Sequence, residues 1–124
     1  MTLARFEHVS RLLFWLALAG AVVLALMPQP PQLPTDRFGD KFNHMLAFAT
    51  LAALAGLGWP RAEKLRVVER LSFLGALIEV AQAMPVLHRD CDIRDWAADT
   101  VAIVATTVLV TALTRRRGVA ASGA

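Results

Sequence analysis

Residues 12–27 read LLFWLALAGAVVLALM, without one charged side chain. Further runs of low charge follow along the chain, at residues 45–59, 71–84 and 100–114. A proline closes each of the first three runs, at positions 28, 60 and 85. Proline lacks a backbone N–H and clashes with the preceding turn, so each of these positions marks a helix end. The pattern therefore predicts an all-α chain of four helices.

The composition is that of a membrane protein. Hydrophobic residues make up 56% of the 124 residues, and the mean hydropathy is +0.51. Soluble domains are less apolar, and about 25% of their residues are charged, whereas this chain has 19%. We expect one domain, a four-helix transmembrane bundle with spans at about residues 10–27, 41–59, 66–84 and 95–114. A soluble helical bundle is the alternative.

The uncharged runs are shorter than a membrane span. About 20 residues are needed to cross the hydrocarbon core, so the helices must extend into their polar flanks. The extension draws His44 and Asp99 toward the membrane, and Glu79 already lies inside the third run. A cleaved signal peptide is an alternative for the first run, with Arg5 and Arg11 as its basic flank. The small-x-small cleavage pattern is poor there.

Lysine and arginine residues indicate the orientation of the spans. Nine of the thirteen lie on the side of the N-terminus, at Arg5, Arg11, Arg61, Lys64, Arg66, Arg70 and Arg115, Arg116 and Arg117. The positive-inside rule then predicts that both termini are cytoplasmic and that the loops at 28–36 and 85–92 face outward. Nucleic acid is not an expected partner despite a pI near 10.0, because the basic residues are split between loops and form no single face.

Polar residues are grouped at one set of span ends. They form four clusters, Asp40-Lys41-x-x-His44, Glu79-x-x-Gln82, Arg89-x-x-Asp92 and Asp95-x-x-x-Asp99. Residues three or four apart share a helix face, and ionisable groups at membrane depth usually face a bundle interior or a water-filled cavity. We therefore expect a polar pocket at the outer membrane face.

Each cluster also has a purely structural interpretation. Asp92 and Asp95 could cap the fourth helix, where aspartate is favoured, and Lys41 could extend its amine to the interface. Glu79 could form a structural ion pair, and Gln82 could provide an interhelical hydrogen bond. An ion-pair network that holds four short helices together is thus the rival to a functional pocket.

The chain resembles the VanZ-like family of small bacterial membrane proteins over about residues 39–106. Three motifs carry the resemblance: GDKFNHMLAF, IEVAQ and HRDCDIRDWAADTVA. The family pattern is D-K-x-x-H-x-x-x-F, then E-x-x-Q, then an Arg before D-x-x-x-N-x-x-G. The matching positions are Asp40, Lys41, His44, Phe48, Glu79, Gln82, Arg89 and Asp95. The chain departs from the pattern at Asp99, where the family has asparagine, and at Ala102 and Thr106, where it has glycines. Asp99 therefore adds a carboxylate.

The resemblance implies a multi-pass protein of the bacterial cytoplasmic membrane with a role in the cell envelope, in a family associated with glycopeptide resistance. We expect it to act on a lipid phosphate head group or a lipid-linked envelope precursor, by hydrolysis or head-group exchange. His44 would be the general base or nucleophile, oriented by Asp40 or Asp95. Lys41 and Arg89 would bind the phosphate.

The remaining candidates are assigned supporting roles. Gln82 would be a hydrogen-bond partner of the substrate, and Glu79, Asp92 and Asp99 would bind a divalent metal or balance charge. The cofactor and the oligomeric state stay open. The alternative function is non-enzymatic, a lipid- or antibiotic-binding scaffold in the membrane whose polar cluster is structural.

Overall fold

The computed structural model describes residues 2–28, 34, 39–85 and 92–122, with the backbone alone for Asp40 and for residues 119–122. Within these residues the chain forms four α-helices and no β-strand, which confirms the all-α class. The helices are α1 (Leu3–Leu26), α2 (Asp40–Gly58), α3 (Lys64–Gln82) and α4 (Ile93–Ser122). Most of the two loops predicted to face outward lies outside the described residues.

Local sequence signals set several helix ends. The Thr2 hydroxyl accepts a hydrogen bond from the Arg5 amide at 3.2 Å, and Asp92 Oδ1 accepts one from the Arg94 amide at 2.9 Å. These bonds satisfy amides that have no partner within the first turn. Gly39 precedes α2 with φ of 92°, a conformation that favours glycine. Each of α1, α2 and α3 ends shortly before a proline.

Two helices, α2 and α3, agree closely with the expected spans, because both ends of each lie within two residues of the expected bounds. α1 begins seven residues before its expected span, and α4 continues eight residues beyond its own. α4 runs on through Arg115, Arg116 and Arg117 because arginine is a favourable helix former. The arginines therefore end the apolar stretch but not the helix.

Consecutive helices run in opposite directions. Arg11 Nε donates to the Gly58 carbonyl at 2.6 Å, which joins the first half of α1 to the end of α2. Gln82 Nε2 donates to the Ala25 carbonyl at 2.8 Å, which joins the ends of α3 and α1. We call the end where α1 and α3 finish and α2 and α4 begin the polar end, and the opposite end the basic end.

α2 has the most extensive packing, against α4 and α1. The buried apolar residues are Phe14, Phe48, Leu51, Ala52, Ala55, Leu71, Ile78 and Ile103. A Cβ added at Gly56 would lie 2.9 Å from Val110 Cγ1, so α2 and α4 touch closely at this point. Small residues at helix contacts allow this close approach.

Large apolar side chains point outward on all four helices. Examples on α1, α3 and α4 are Leu16, Phe73 and Val108, which are 61%, 64% and 63% exposed. α1 and the Ile93–Gly118 part of α4 are long and apolar enough to cross a membrane, by length and composition. The core helix of a soluble protein passes the same test, but such a helix is mostly buried. Here only 11% and 17% of the two most apolar stretches are buried.

Candidate functional site

Three helices bring His44, Glu79 and Asp99 together near the polar end. His44 lies in the second turn of α2, Glu79 in the last turn of α3 and Asp99 in the second turn of α4. His44 Nδ1 is 3.9 Å from Glu79 Oε1 and 3.7 Å from Asp99 Oδ2. One donor atom from each residue lies within 4.8 Å of the other two. We call these residues the three-helix cluster.

The cluster is buried, and several of its carboxylate oxygens accept no hydrogen bond from the described residues. The side chains of His44, Glu79 and Asp99 are 13%, 8% and 1% exposed. Glu79 Oε1 and both Asp99 carboxylate oxygens are buried without a hydrogen-bond partner among the described residues. The distances from His44 Nδ1 exceed hydrogen-bond range. Because a buried carboxylate without a partner is costly, this arrangement has unused capacity to accept a donor or a cation.

A second pair lies one turn nearer the polar end of the bundle. Lys41 Nζ is 3.9 Å from Asp95 Oδ1, and the Lys41 side chain is half exposed. Lys41 is three residues before His44 on α2, and Asp95 is four residues before Asp99 on α4, so the pair shares helix faces with the cluster. The structure therefore places a cation at the outer side of the buried carboxylates.

Apolar rings and a glycine form one wall of the cluster. A Cβ added at Gly75 would lie 3.5 Å from both Phe48 Cζ and Trp96 Cδ1, and 3.7 Å from Asp99 Oδ2. The Trp96 indole N–H donates to the Ser72 carbonyl at 3.0 Å, which fixes the ring against α3. The absence of a side chain at Gly75 thus leaves room beside the Asp99 carboxylate.

Sequence reasoning did not single out Gly75, although its spacing could have revealed it. Gly75 is four residues before Glu79, so both lie on one face of α3. Phe48 bears the same relation to His44 on α2, and Trp96 lies three residues before Asp99 on α4. Each wall residue is therefore one helical turn from a cluster residue.

The carboxylates that face His44 differ from those expected. Glu79 and Asp99 lie nearest to His44 Nδ1, whereas Asp95 contacts Lys41. Asp99 lies level with the imidazole where α2 and α4 meet, and the orienting role of Asp95 stays a prediction. The Asp40 side chain, the other residue predicted to orient His44, lies outside the described residues.

The remaining candidates contact the helix framework. The Gln82 side chain, in a residue only 2% exposed, uses its amide to join α3 to α1 through Ala25. Asp92 Oδ1 caps α4, and the Asp92 backbone amide donates to Glu79 Oε2 at 3.2 Å. Arg89, a predicted phosphate-binding residue, lies outside the described residues.

Chemically, an imidazole that faces two carboxylates can take up and return a proton, or the three groups can ligate a metal ion. Among the described residues, Lys41 is the cation placed beside this arrangement, and it is paired with Asp95. Comparison of the chain with protein-family models, with curated proteins and with solved structures found no match. The resemblance to the VanZ-like family therefore stays a prediction.

Proposed function

We propose that this chain is a multi-pass protein of the bacterial cytoplasmic membrane, with four transmembrane helices and both termini in the cytoplasm. The apolar side chains exposed on every helix support a lipid environment. α2 and α3 have 19 residues each, a length of about 28 Å that suits a hydrocarbon core of about 30 Å. The excess of lysine and arginine at the basic end supports the orientation.

The depth of the three-helix cluster follows from the length of α2. From His44 to Gly58 the helix rises about 21 Å. With Gly58 near the cytoplasmic boundary of a core about 30 Å thick, the cluster lies about 9 Å below the outer boundary. The backbone of Lys41 is one turn nearer that boundary, about 5 Å below it, and its long side chain can extend to the lipid head groups of the outer leaflet.

We infer that the protein acts on a lipid phosphate head group or a lipid-linked envelope precursor, as a member of the VanZ-like family. The observation that carries this inference is the convergence of His44, Glu79 and Asp99 from three helices, with three buried carboxylate oxygens unpartnered among the described residues. Such a group costs stability in an apolar protein, and intramembrane ionisable groups of this kind usually serve a function.

In the proposed reaction, water or an alcohol attacks the phosphorus atom of the head group. His44 takes the proton from the attacking oxygen and returns it to the oxygen of the leaving alcohol when the phosphoester bond breaks. Glu79 and Asp99 stabilise the imidazolium that forms in between. Lys41 binds the phosphate oxygens from the outer side, and Arg89 is the proposed second phosphate-binding residue.

One observation favours the rival function, a non-enzymatic scaffold with a structural polar network. Glu79 accepts a hydrogen bond from the Asp92 amide through Oε2 and lies near His44 through Oε1. It therefore connects the end of α3 to both α2 and α4. If that were its role, Glu79→Ala would lower the abundance of folded protein, since breaking a buried pair costs about 3–5 kcal/mol.

Mass-spectrometric profiling of membrane lipids and lipid-linked precursors tests the proposal. Cells with the wild-type protein are compared with cells that carry His44→Ala at equal membrane abundance, and with cells that lack the protein. We expect the lipid changed by the wild type to return to the level of cells without the protein, because loss of a general base lowers the rate by about 10²–10⁴-fold.

The control is Glu63→Gln, which removes an exposed carboxylate at the basic end and should leave the lipid profile as in the wild type. Identical profiles for the wild type and for His44→Ala would contradict the enzymatic proposal. In that case the scaffold function would be favoured.

A further inference from the structure

We propose that the three-helix cluster binds a divalent transition-metal ion, Zn²⁺ or Mn²⁺, through His44 Nδ1, Glu79 Oε1 and Asp99. This inference rests on the proposed function for the role of the ion but not for ion binding itself. It deepens that function by one change: with the ion bound, His44 would be a ligand through Nδ1, and the ion would activate the attacking oxygen in place of the imidazole. Its basis is the distances, burial and charge of the three side chains.

The distances suit ligation after a small contraction. Ligands about 2.1 Å from a tetrahedral zinc ion are about 3.4 Å apart. His44 Nδ1 is 3.7 Å from Asp99 Oδ2 and 3.9 Å from Glu79 Oε1. All three donor atoms lie within 4.8 Å of one another, so side-chain rotations that shorten these distances by up to about 1.4 Å would form the ligand set.

The charge of the cluster calls for a cation. Glu79 and Asp99 are more than nine-tenths buried, and in their ionised form they carry two negative charges. Buried charges are normally paired or bound to metals. Among the described residues, no lysine or arginine side chain forms an ion pair with Glu79 or Asp99. Lys41, the nearest candidate, is paired with Asp95. A divalent ion would offset both charges.

The kinds of ligand narrow the choice of ion. An imidazole nitrogen suits zinc and other transition metals, and carboxylates also suit manganese, whereas magnesium and calcium prefer oxygen ligands alone. Three protein ligands leave at least one coordination position open, as in catalytic zinc sites. The space beside Gly75, bounded by Phe48 and Trp96, adjoins the Asp99 carboxylate. A water or phosphate oxygen is the fourth ligand we expect, and the ion would polarise it.

Direct measurement of metal on the purified full-length chain in detergent tests this inference. The protein is stripped with a chelator and incubated with Zn²⁺ or Mn²⁺, and bound metal is measured by elemental analysis, with electron paramagnetic resonance for Mn²⁺. We expect one ion per chain, displaced by the other transition metal but not by excess Mg²⁺. Asp99→Asn and Glu79→Gln should each weaken binding by at least about tenfold.

The matched control is Glu69→Gln. Glu69 is an exposed glutamate on α3, the same helix as Glu79, and this variant should bind metal as the wild type does. Size-exclusion chromatography establishes which variants are folded, and two ligand variants on different helices keep the test decisive if one of them fails to fold.

The results separate this inference from the proposed function. Absence of stoichiometric metal, or equal binding by both ligand variants and the wild type, would overturn the metal site. A lipid change that depends on His44 would then still support the proposed function. Stoichiometric metal that depends on Asp99 and Glu79, together with an unchanged lipid profile, would support the metal site and refute the lipid reaction.

Discussion

The two ends of the helical bundle hold their ionisable residues in opposite ways. At the basic end the ion pairs are local: Arg66 Nε lies 3.3 Å from Glu63 three residues before it, and both side chains are exposed. At the polar end, His44 meets carboxylates from two other helices in a buried setting. Exposed local pairs contribute little to stability, whereas buried charges from separate helices must be positioned by the whole fold. The contrast shows where a function is to be sought.

Arg11 shows how completely a charge at the basic end is satisfied. It donates to the Gly58 carbonyl at 2.6 Å, pairs with Glu7 at 3.5 Å and lies 5.6 Å from the ring centroid of Trp59. Phe14, Trp15 and Trp59 pack edge-to-face around this position. No comparable donor set reaches the Asp99 carboxylate among the described residues.

The largest expected effect comes from a charge placed between the two ends. Val104 on α4 is 42% exposed and lies about 8 Å beyond Asp99 toward the basic end, near the centre of the proposed membrane. Val104→Lys should lower the fraction of the protein that stays in the membrane after alkaline extraction, because a lysine at the centre of a span costs about 3 kcal/mol on insertion. Leu3→Lys, at an exposed position at the start of α1, is the control. Equal membrane retention of both variants would argue against a span at Val104.

The next effect is a gain in stability. Asp99→Asn keeps the shape of the side chain but removes one of two buried carboxylates. The free energy of unfolding of the metal-free variant should therefore exceed that of the wild type by about 1 kcal/mol or more. Unfolding in detergent, with chelator present, measures this difference. Glu63→Gln, which alters an exposed pair, should change stability by less than about 0.5 kcal/mol. A loss of several kcal/mol in Asp99→Asn would instead indicate a structural ion-pair network.

The smallest expected effect is the loss of stability on substitution of Gln82, which lies at the polar end but is not a proposed metal ligand. Gln82→Ala removes the bond to the Ala25 carbonyl, and interhelical hydrogen bonds in membrane proteins contribute about 0.6 kcal/mol on average. We expect a loss of stability of that size with unchanged metal affinity, measured by unfolding and by metal titration. Loss of metal binding in this variant would place Gln82 in the metal site.

Much of this arrangement could be predicted from the sequence. The uncharged runs and the prolines give α2 and α3 to within two residues, and the alternation of helix direction places His44, Glu79 and Asp99 at one end. The partner of His44 could not be predicted, since Asp95 and Asp99 share a face of α4. The axial position of α4 against α2 decides between them, and it depends on packing such as the contact of Gly56 with Val110.

In the proposed membrane orientation, the packed layer between the cluster and the basic end would limit the passage of ions. Leu51, Ala52 and Ile103 are at most 1% exposed and lie within the roughly 21 Å that separates His44 from Gly58 along α2. A packed apolar layer of this kind has a low dielectric constant, which raises the energy of an ion within it. In the proposed membrane, this layer would separate the charge near one face from the other face and would help to preserve the protonmotive force.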